Sequence, residues 1–150
     1  MAEIEVRSPD FENNAFIPRR HGRDDENVSP ALEWVGVSAG AVELLLLCED
    51  PDAPSGTFLH WLVTGIDPRA AGVPENNTPL GGRLWPNDFG EAGWGGPAPP
   101  HGDQAHRYVI TLYALSEPVD LPDNPSADDV HRAVDGITLG RGTLVGLFQR

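Results

Sequence analysis

The chain has no lysine and a single cysteine. Its 10 arginines face 23 aspartates and glutamates, and the formal charge is −13. A surface of that sign repels phosphate backbones and anionic lipid, which argues against nucleic acid and membrane surfaces as partners. The simplest source of such a composition is a solubility or salt adaptation; attraction to a basic partner protein is the alternative. Cys48 excludes an internal disulfide, and its place in an apolar run reads as a small buried hydrophobe in a reducing compartment. No apolar run approaches the ~20 residues of a membrane span. The first residues, Met1 to Glu5, are acidic and form no apolar signal region, so the expected location is the cytoplasm. There is no Gly-x-Ser-x-Gly nucleophile elbow, and helical periodicity is scarce.

Present instead are dispersed glycines and prolines that separate short β-type segments. Ile4–Arg7, Ala31–Val35, Val42–Cys48, His60–Ile66, Arg107–Leu115 and Thr143–Phe148 read as strands. Trp61 and Val63 fall on one face of their strand, Leu62 and Thr64 on the other. Ser126-Ala127-Asp128-Asp129 has the form of a capping box, which predicts a short helix to about Val134, ending before Gly136. At 150 residues the chain fits one domain, 1–150, mainly β and antiparallel. Residues 67–93 form a long irregular segment, for which Trp85, Phe89 and the adjoining Trp94 supply packing.

Two stretches carry the chemistry. Asp50-Pro51-Asp52-Ala53-Pro54 and the later His60 place two acids and a histidine on a stiff turn after the most apolar run. Gly95-Gly96-Pro97-Ala98-Pro99-Pro100 leads to His106-Arg107-Tyr108 in the same manner. If the strands after His60 and His106 run alongside one another in the same direction, Asp50, His60, His106 and Tyr108 meet at one rim of the sheet. Trp61 and Arg107 then belong to the opposite face. Gly95 and Gly96 would offer N–H groups to a ligand, and Pro97, Pro99 and Pro100 would fix the loop. Asp50 would orient the histidine rings and raise their pKa values. Tyr108 is either a ligand contact or a ring in the wall. Asp52 reads as a turn acceptor or an ion-pair partner of Arg107. His21, between Arg19, Arg20 and Arg23, reads as part of a solvated basic loop; His101 and His131 read as surface residues.

These residues are where the sequence resembles a known family. Asp-Pro-Asp-Ala-Pro at 50–54, His60-Trp61, Gly-Gly-Pro-Ala-Pro-Pro-His-Gly at 95–102 and His-Arg-Tyr at 106–108 are similar to the phosphatidylethanolamine-binding proteins. The closer likeness is to their bacterial and archaeal, Raf-kinase-inhibitor-like branch, and it covers nearly the whole chain. The resemblance implies a β-sandwich-like fold with a large central antiparallel sheet, a smaller sheet and one short helix. It also implies an anion pocket formed by Asp50, His60, Gly96, Pro97, His106 and Tyr108, beside the structural residues Asp52, Pro54 and Arg107. Departures are Trp94 and Phe148 where that branch frequently has tyrosine, and Ala98 where it frequently has cysteine.

The leading expectation is a binding protein for a small anion, phosphate, carboxylate or a phosphoethanolamine-like head group, acting without cofactor or metal. Two histidines and an aspartate can hold zinc, but a proline-locked turn favours fixed contacts to a small ligand. One alternative is a metal-free enzyme using Asp50, His60 and His106 as acid–base groups on a small substrate. Another, which the resemblance alone suggests, is a kinase or protease inhibitor-like regulator.

Overall fold

Alternating and continuous apolar segments become ten strands and one α-helix among the described residues, 2–150, of a computed structural model. The N-terminal part carries β1 (Ala2–Glu3), β2 (Glu5–Arg7), β3 (Ala15–Phe16), a 3₁₀ turn at Arg19–His21 and β4 (Leu32–Val35). β5 (Glu43–Asp50) and β6 (Phe58–Ile66) follow, then β7 (Gly72–Val73) and β8 (Arg83–Leu84). The chain closes with β9 (His106–Leu115), α1 (Ala127–Val134) and β10 (Thr138–Phe148).

The larger sheet has the order β1-β10-β9-β5-β6-β8, with β3 also on β10. Its centre, β10-β9-β5-β6, is antiparallel, whereas β1 and β3 join β10 in parallel. The smaller sheet is β2-β4-β7. The expected strand Ile4–Arg7 is β2 of the small sheet, shortened to Glu5–Arg7; β1 of the large sheet lies just before it, and the Ile4 N–H between them reaches the Arg141 carbonyl at 3.0 Å. This crossing ties the layers together through the single residue Ile4.

The apolar run Leu44–Cys48 is explained by burial on both sides. Leu44, Leu46 and Cys48 face the core shared with the small sheet, beside Trp34, Trp61, Tyr108, Ile110 and Leu112. Leu45 and Leu47 face a second core with Leu62, Trp85 and Tyr113, closed by Val130 and Val134 of α1. A strand with one wet face would alternate; this one has none. The helix starts where the capping box predicts: the Asp129 N–H donates to Ser126 Oγ at 3.1 Å and the Ser126 N–H to Asp129 Oδ2 at 3.0 Å. In the long segment before residue 93, the Trp85 indole N–H donates to Thr64 Oγ1 at 2.7 Å. Trp94 packs edge-on against Trp61.

The β5–β6 register shifts at two places, between Leu44 and Leu46 and between Cys48 and Glu49, and the second shapes the site. Cys48 pairs with Trp61, but Glu49 pairs with Leu59, so His60 is an extra residue opposite β5. Such a bulge lets two consecutive side chains leave the same side of a strand. His60 consequently joins the face of Trp61 and Tyr108, correcting the expectation that Trp61 lies opposite the site. Arg107 does lie on the other face.

Because Leu47 is fully buried between close-packed layers, Leu47→Ala should cost ~2–5 kcal/mol, whereas Ser126→Ala, which removes only a helix cap, should cost ~1 kcal/mol. Urea unfolding of both variants measures the ranking; equal losses would contradict the layered core described here.

Candidate functional site

β6 and β9 run in the same direction, but they are not neighbours; β5 lies between them and runs the opposite way. The start of β6, the end of β5 and the start of β9 therefore share one rim. There a cavity of about 310 Å³ is lined by Asp50, Pro54, His60, His106 and Tyr108. Phe58, Phe89, Pro99 and Pro100 complete much of its wall, and Ala98 lies in it as well.

Asp50 divides its two oxygens. Oδ1 accepts the Asp52 N–H at 2.7 Å, which closes the Asp-Pro-Asp turn, and Oδ2 lies 2.7 Å from His106 Nδ1. Both side chains are almost completely buried. The other ring nitrogen of His106, Nε2, lies 3.0 Å from Asp103 Oδ2. Burial opposes a charge on His106, but hydrogen bonds to Asp50 and then Asp103 outweigh it and raise its pKa. His106 is therefore an imidazolium over a wider pH range than a free histidine.

His60 behaves in the opposite way. Its Nδ1 donates to the Gly95 carbonyl at 2.6 Å, and the Gly95 N–H returns a bond to the His60 carbonyl at 2.9 Å. The ring packs at 4.8 Å from Phe58, 5.6 Å from Phe89 and 5.2 Å from Tyr108. Burial lowers its pKa despite hydrogen bonds donated to the glycine backbone and the charge of Asp50. The neutral ring, with its proton held on Nδ1, leaves a lone pair on Nε2. The expectation that Asp50 raises both histidines thus holds for His106 alone; in the aromatic cage of His60, desolvation wins.

Tyr108 is fully buried, and its hydroxyl has no hydrogen-bond partner among the described residues. Burial and then the Asp50 charge push its pKa far up, so it remains a phenol and a donor. Asp52 forms a two-pronged pair with Arg107, at 2.8 and 3.0 Å, and also accepts the Arg107 N–H at 2.9 Å. The Arg107 bonds hold Asp52 down at about 2. This pair stands outside the cavity lining.

Gly96 and Pro97 also fall outside the lining. The Gly96 N–H is taken by Asn27 Oδ1 at 2.7 Å, and a Cβ on Gly96 would stand 2.1 Å from the His21 carbonyl. Pro97 gives its carbonyl to the Arg23 N–H at 3.1 Å. The glycines permit close passage of two backbone segments, and neither amide is left free. Trp94 keeps a donor although it has no hydroxyl: its Nε1–H reaches the His21 carbonyl at 3.1 Å. The residues that sequence reasoning missed are Asp103 and Phe58, with Phe89 assigned only to loop packing. Asp103 lies three positions before His106 in a loop, and nothing in that spacing signals a contact.

Comparison with known proteins identifies the family and the fold. A family model described as phosphatidylethanolamine-binding protein matches residues 7–149. The chain belongs to that family. A UPF0098 protein of Methanothermobacter thermautotrophicus is 41% identical over 153 residues, covering 98% of this chain and 99% of the relative. A Mycobacterium tuberculosis protein named as a candidate lipoprotein, LppC, is 38% identical over 146 residues, covering 97% of this chain and 72% of its own. The crystal structure of Escherichia coli YbcL, described as a member of the mammalian family, superposes with a TM-score of 0.90 at 27% identity and covers 99% of both chains. The mainly β, two-sheet architecture with a single short helix is that of the family. No helix among the described residues is long and apolar enough to cross a membrane.

The two histidines should titrate on opposite sides of 6.5, His106 above and His60 below, in ring-proton NMR. Asp50→Asn should lower the His106 value. For stability the signs differ. The His106 contribution is full below 6.5 and fades as pH rises through its raised folded value. His60 subtracts stability as pH falls from 6.5 towards its lowered value, because only the unfolded chain then takes up that proton. Coincident titration of both rings would refute this assignment.

Proposed function

We propose that the protein binds a small phosphorylated or carboxylated molecule that also carries an amine or hydroxyl, with a phosphoethanolamine-like head group as the best match. The observation that carries this reading is the Asp103 carboxylate on His106 Nε2. The Asp103 side chain is 42% exposed and sits on a loop, whereas the Asp50 partner on the other ring nitrogen is almost completely buried. A carboxylate of the chain thus takes the position that an anionic ligand would take, and it can leave to solvent when one arrives. The buried Tyr108 hydroxyl provides a second donor in need of an acceptor.

The opposite end of the ligand meets different chemistry. Asp50 and the His60 Nε2 lone pair accept from an amine or hydroxyl, and the Phe58 and Phe89 rings favour a cation beside them. At about 310 Å³ the cavity lies near the lower end of small-molecule pockets, ~300–1,000 Å³. That size suits a head group.

One feature of the site favours a second reading, acid–base catalysis. Two histidines at one cavity are driven apart in pKa, as in sites where one group donates and another accepts a proton. Phosphorus NMR of a bound phosphoester separates the readings: an unchanged ester supports binding alone, and turnover abolished by His60→Gln supports catalysis.

Calorimetry at pH 6 should show phosphoethanolamine binding more tightly than phosphate. Asp103→Asn should tighten both, because a competing anion is removed while Asp50 still supports the His106 charge. Tyr108→Phe should weaken both by ~10–150-fold, the worth of one hydrogen bond to a charged group. In the wild type, affinity should fall as pH rises past the raised pKa of His106. Absence of heat from every ligand, unchanged in Asp103→Asn, would sink the proposal.

A further inference from the structure

The loop expected to be solvated places a histidine in the interior. His21 is 0% exposed. Its Nδ1 lies 2.8 Å from the Val28 carbonyl and donates to it, which fixes the ring and puts the lone pair of the neutral form on Nε2. Among the described residues Nε2 has no hydrogen-bond partner. It faces Asp10 Oδ2 at 3.6 Å and Glu75 Oε1 at 3.8 Å. One ligand atom from each of the three residues lies within 4.8 Å of the other two.

Three acceptor atoms thus converge: Asp10 Oδ2 accepts from the Ala31 N–H and Glu75 Oε1 from Arg20 Nε, while the buried His21 Nε2 between them has no donor. The distances are too long for hydrogen bonds. Two ligands of one transition ion, each bonded at ~2.1 Å, sit ~3.0–3.4 Å apart, so His21 would close on each carboxylate by a few tenths of an ångström, and the two carboxylates, within 4.8 Å of each other, would close by at most ~1–2 Å. The supporting contacts are those of a metal site. The histidine donates its other nitrogen to a backbone carbonyl, and the Ala31 N–H at 3.1 Å orients Asp10 Oδ2. Arg20 now balances the carboxylates, with Nη2 at 2.9 Å from Asp10 and Nε at 2.8 Å from Glu75. Its side chain is 37% exposed, as that of Glu75 is 39% exposed, so the guanidinium can move into solvent when a stronger cation arrives.

We propose that Asp10, His21 and Glu75 form a binding site for a divalent transition-metal ion. One imidazole nitrogen and two carboxylate oxygens match zinc and its neighbours better than magnesium or calcium, which prefer oxygen alone. The site is independent of the cavity chemistry, yet it braces the cavity. The His21 carbonyl receives the Trp94 indole and presses against Gly96, and Asn27, six residues on, holds the Gly96 amide. The same loop presents the Gly95 carbonyl to His60. An ion at His21 would therefore stiffen the contact that holds the His60 proton on Nδ1.

Calorimetric titration of zinc chloride into the chelator-treated, dialysed full chain at pH 7 tests the proposal. The wild type should bind one zinc. Glu75→Gln should weaken that binding at least ~10-fold, and Arg20→Gln should tighten it by removing the competing cation. His106→Gln should leave it unchanged, which distinguishes this site from Asp50 and the cavity histidines. Glu75→Gln and Arg20→Gln alter partly exposed side chains, so the fold is retained; thermal unfolding checks this and verifies that the buried His106→Gln variant is folded before it is titrated, and zinc should raise the wild-type melting temperature more than that of Glu75→Gln. The proposal fails if zinc does not bind, if Glu75→Gln and Arg20→Gln leave the isotherm unchanged, or if His106→Gln abolishes it. Nitrogen NMR showing His21 protonated on both nitrogens at pH 7 with zinc present would make a proton the occupant and equally overturn it.

Discussion

The Asp50 carboxylate is the joint on which the site depends. One oxygen closes the turn that follows β5, and the other grips His106 at the start of β9. A charged pair this buried is costly to form, and losing one partner leaves the other charge stranded at a cost of ~3–5 kcal/mol. The pair is tolerable because both groups have further bonds: Asp50 to the turn amide, His106 to Asp103. Two strands and a turn are thereby fixed to one another at the rim, and the cavity keeps its shape through contacts a ligand need not make.

His60 reaches the same rim through a different device. Alternation along β6 would send it to the face of Leu62, into the core that α1 closes. The extra residue in the ladder turns it to the face of Tyr108. Once there, Phe58 and Phe89 exclude water from it, and the Gly95 carbonyl determines which nitrogen carries the proton. The two histidines occupy equivalent positions in the sequence pattern, each opening a strand after a proline-rich turn. Their partners differ, carboxylates against aromatic rings, and the partners determine the charge of each.

Much of the fold was legible because it follows from period and punctuation. The run before Asp50 gave the central strand, and Ser126 to Asp129 marked the helix start. The family motifs gave the two-sheet architecture. Asp50, His60, His106 and Tyr108 could be read as one rim because they lie at strand ends. Three features were hidden for physical reasons. The bulge at His60 is a register property of two strands and leaves no mark on either sequence alone. The amides of Gly95 and Gly96 looked available because a sequence does not show which segment passes close by; His60 and residues 21–27 occupy them. His21 looked solvated because its sequence neighbours are arginines, whereas its spatial neighbours, Asp10 and Glu75, come from distant segments.

The charge of the rim bears on what it would select. Asp50 and Asp103 set two carboxylates around one histidine ring whose pKa they raise, in a chain whose formal charge is −13. A bare anion entering such a place gains His106 only by displacing Asp103, and it still faces the field of Asp50. An anion that brings its own positive or hydrogen-donating group meets a different balance: Asp50 becomes an attraction, and the His60 lone pair finds a donor. The arrangement therefore discriminates by the second group on the ligand as much as by the anionic one. Specificity of this kind follows from leaving the acids in place, since a rim relieved of both carboxylates would hold any small anion that fits.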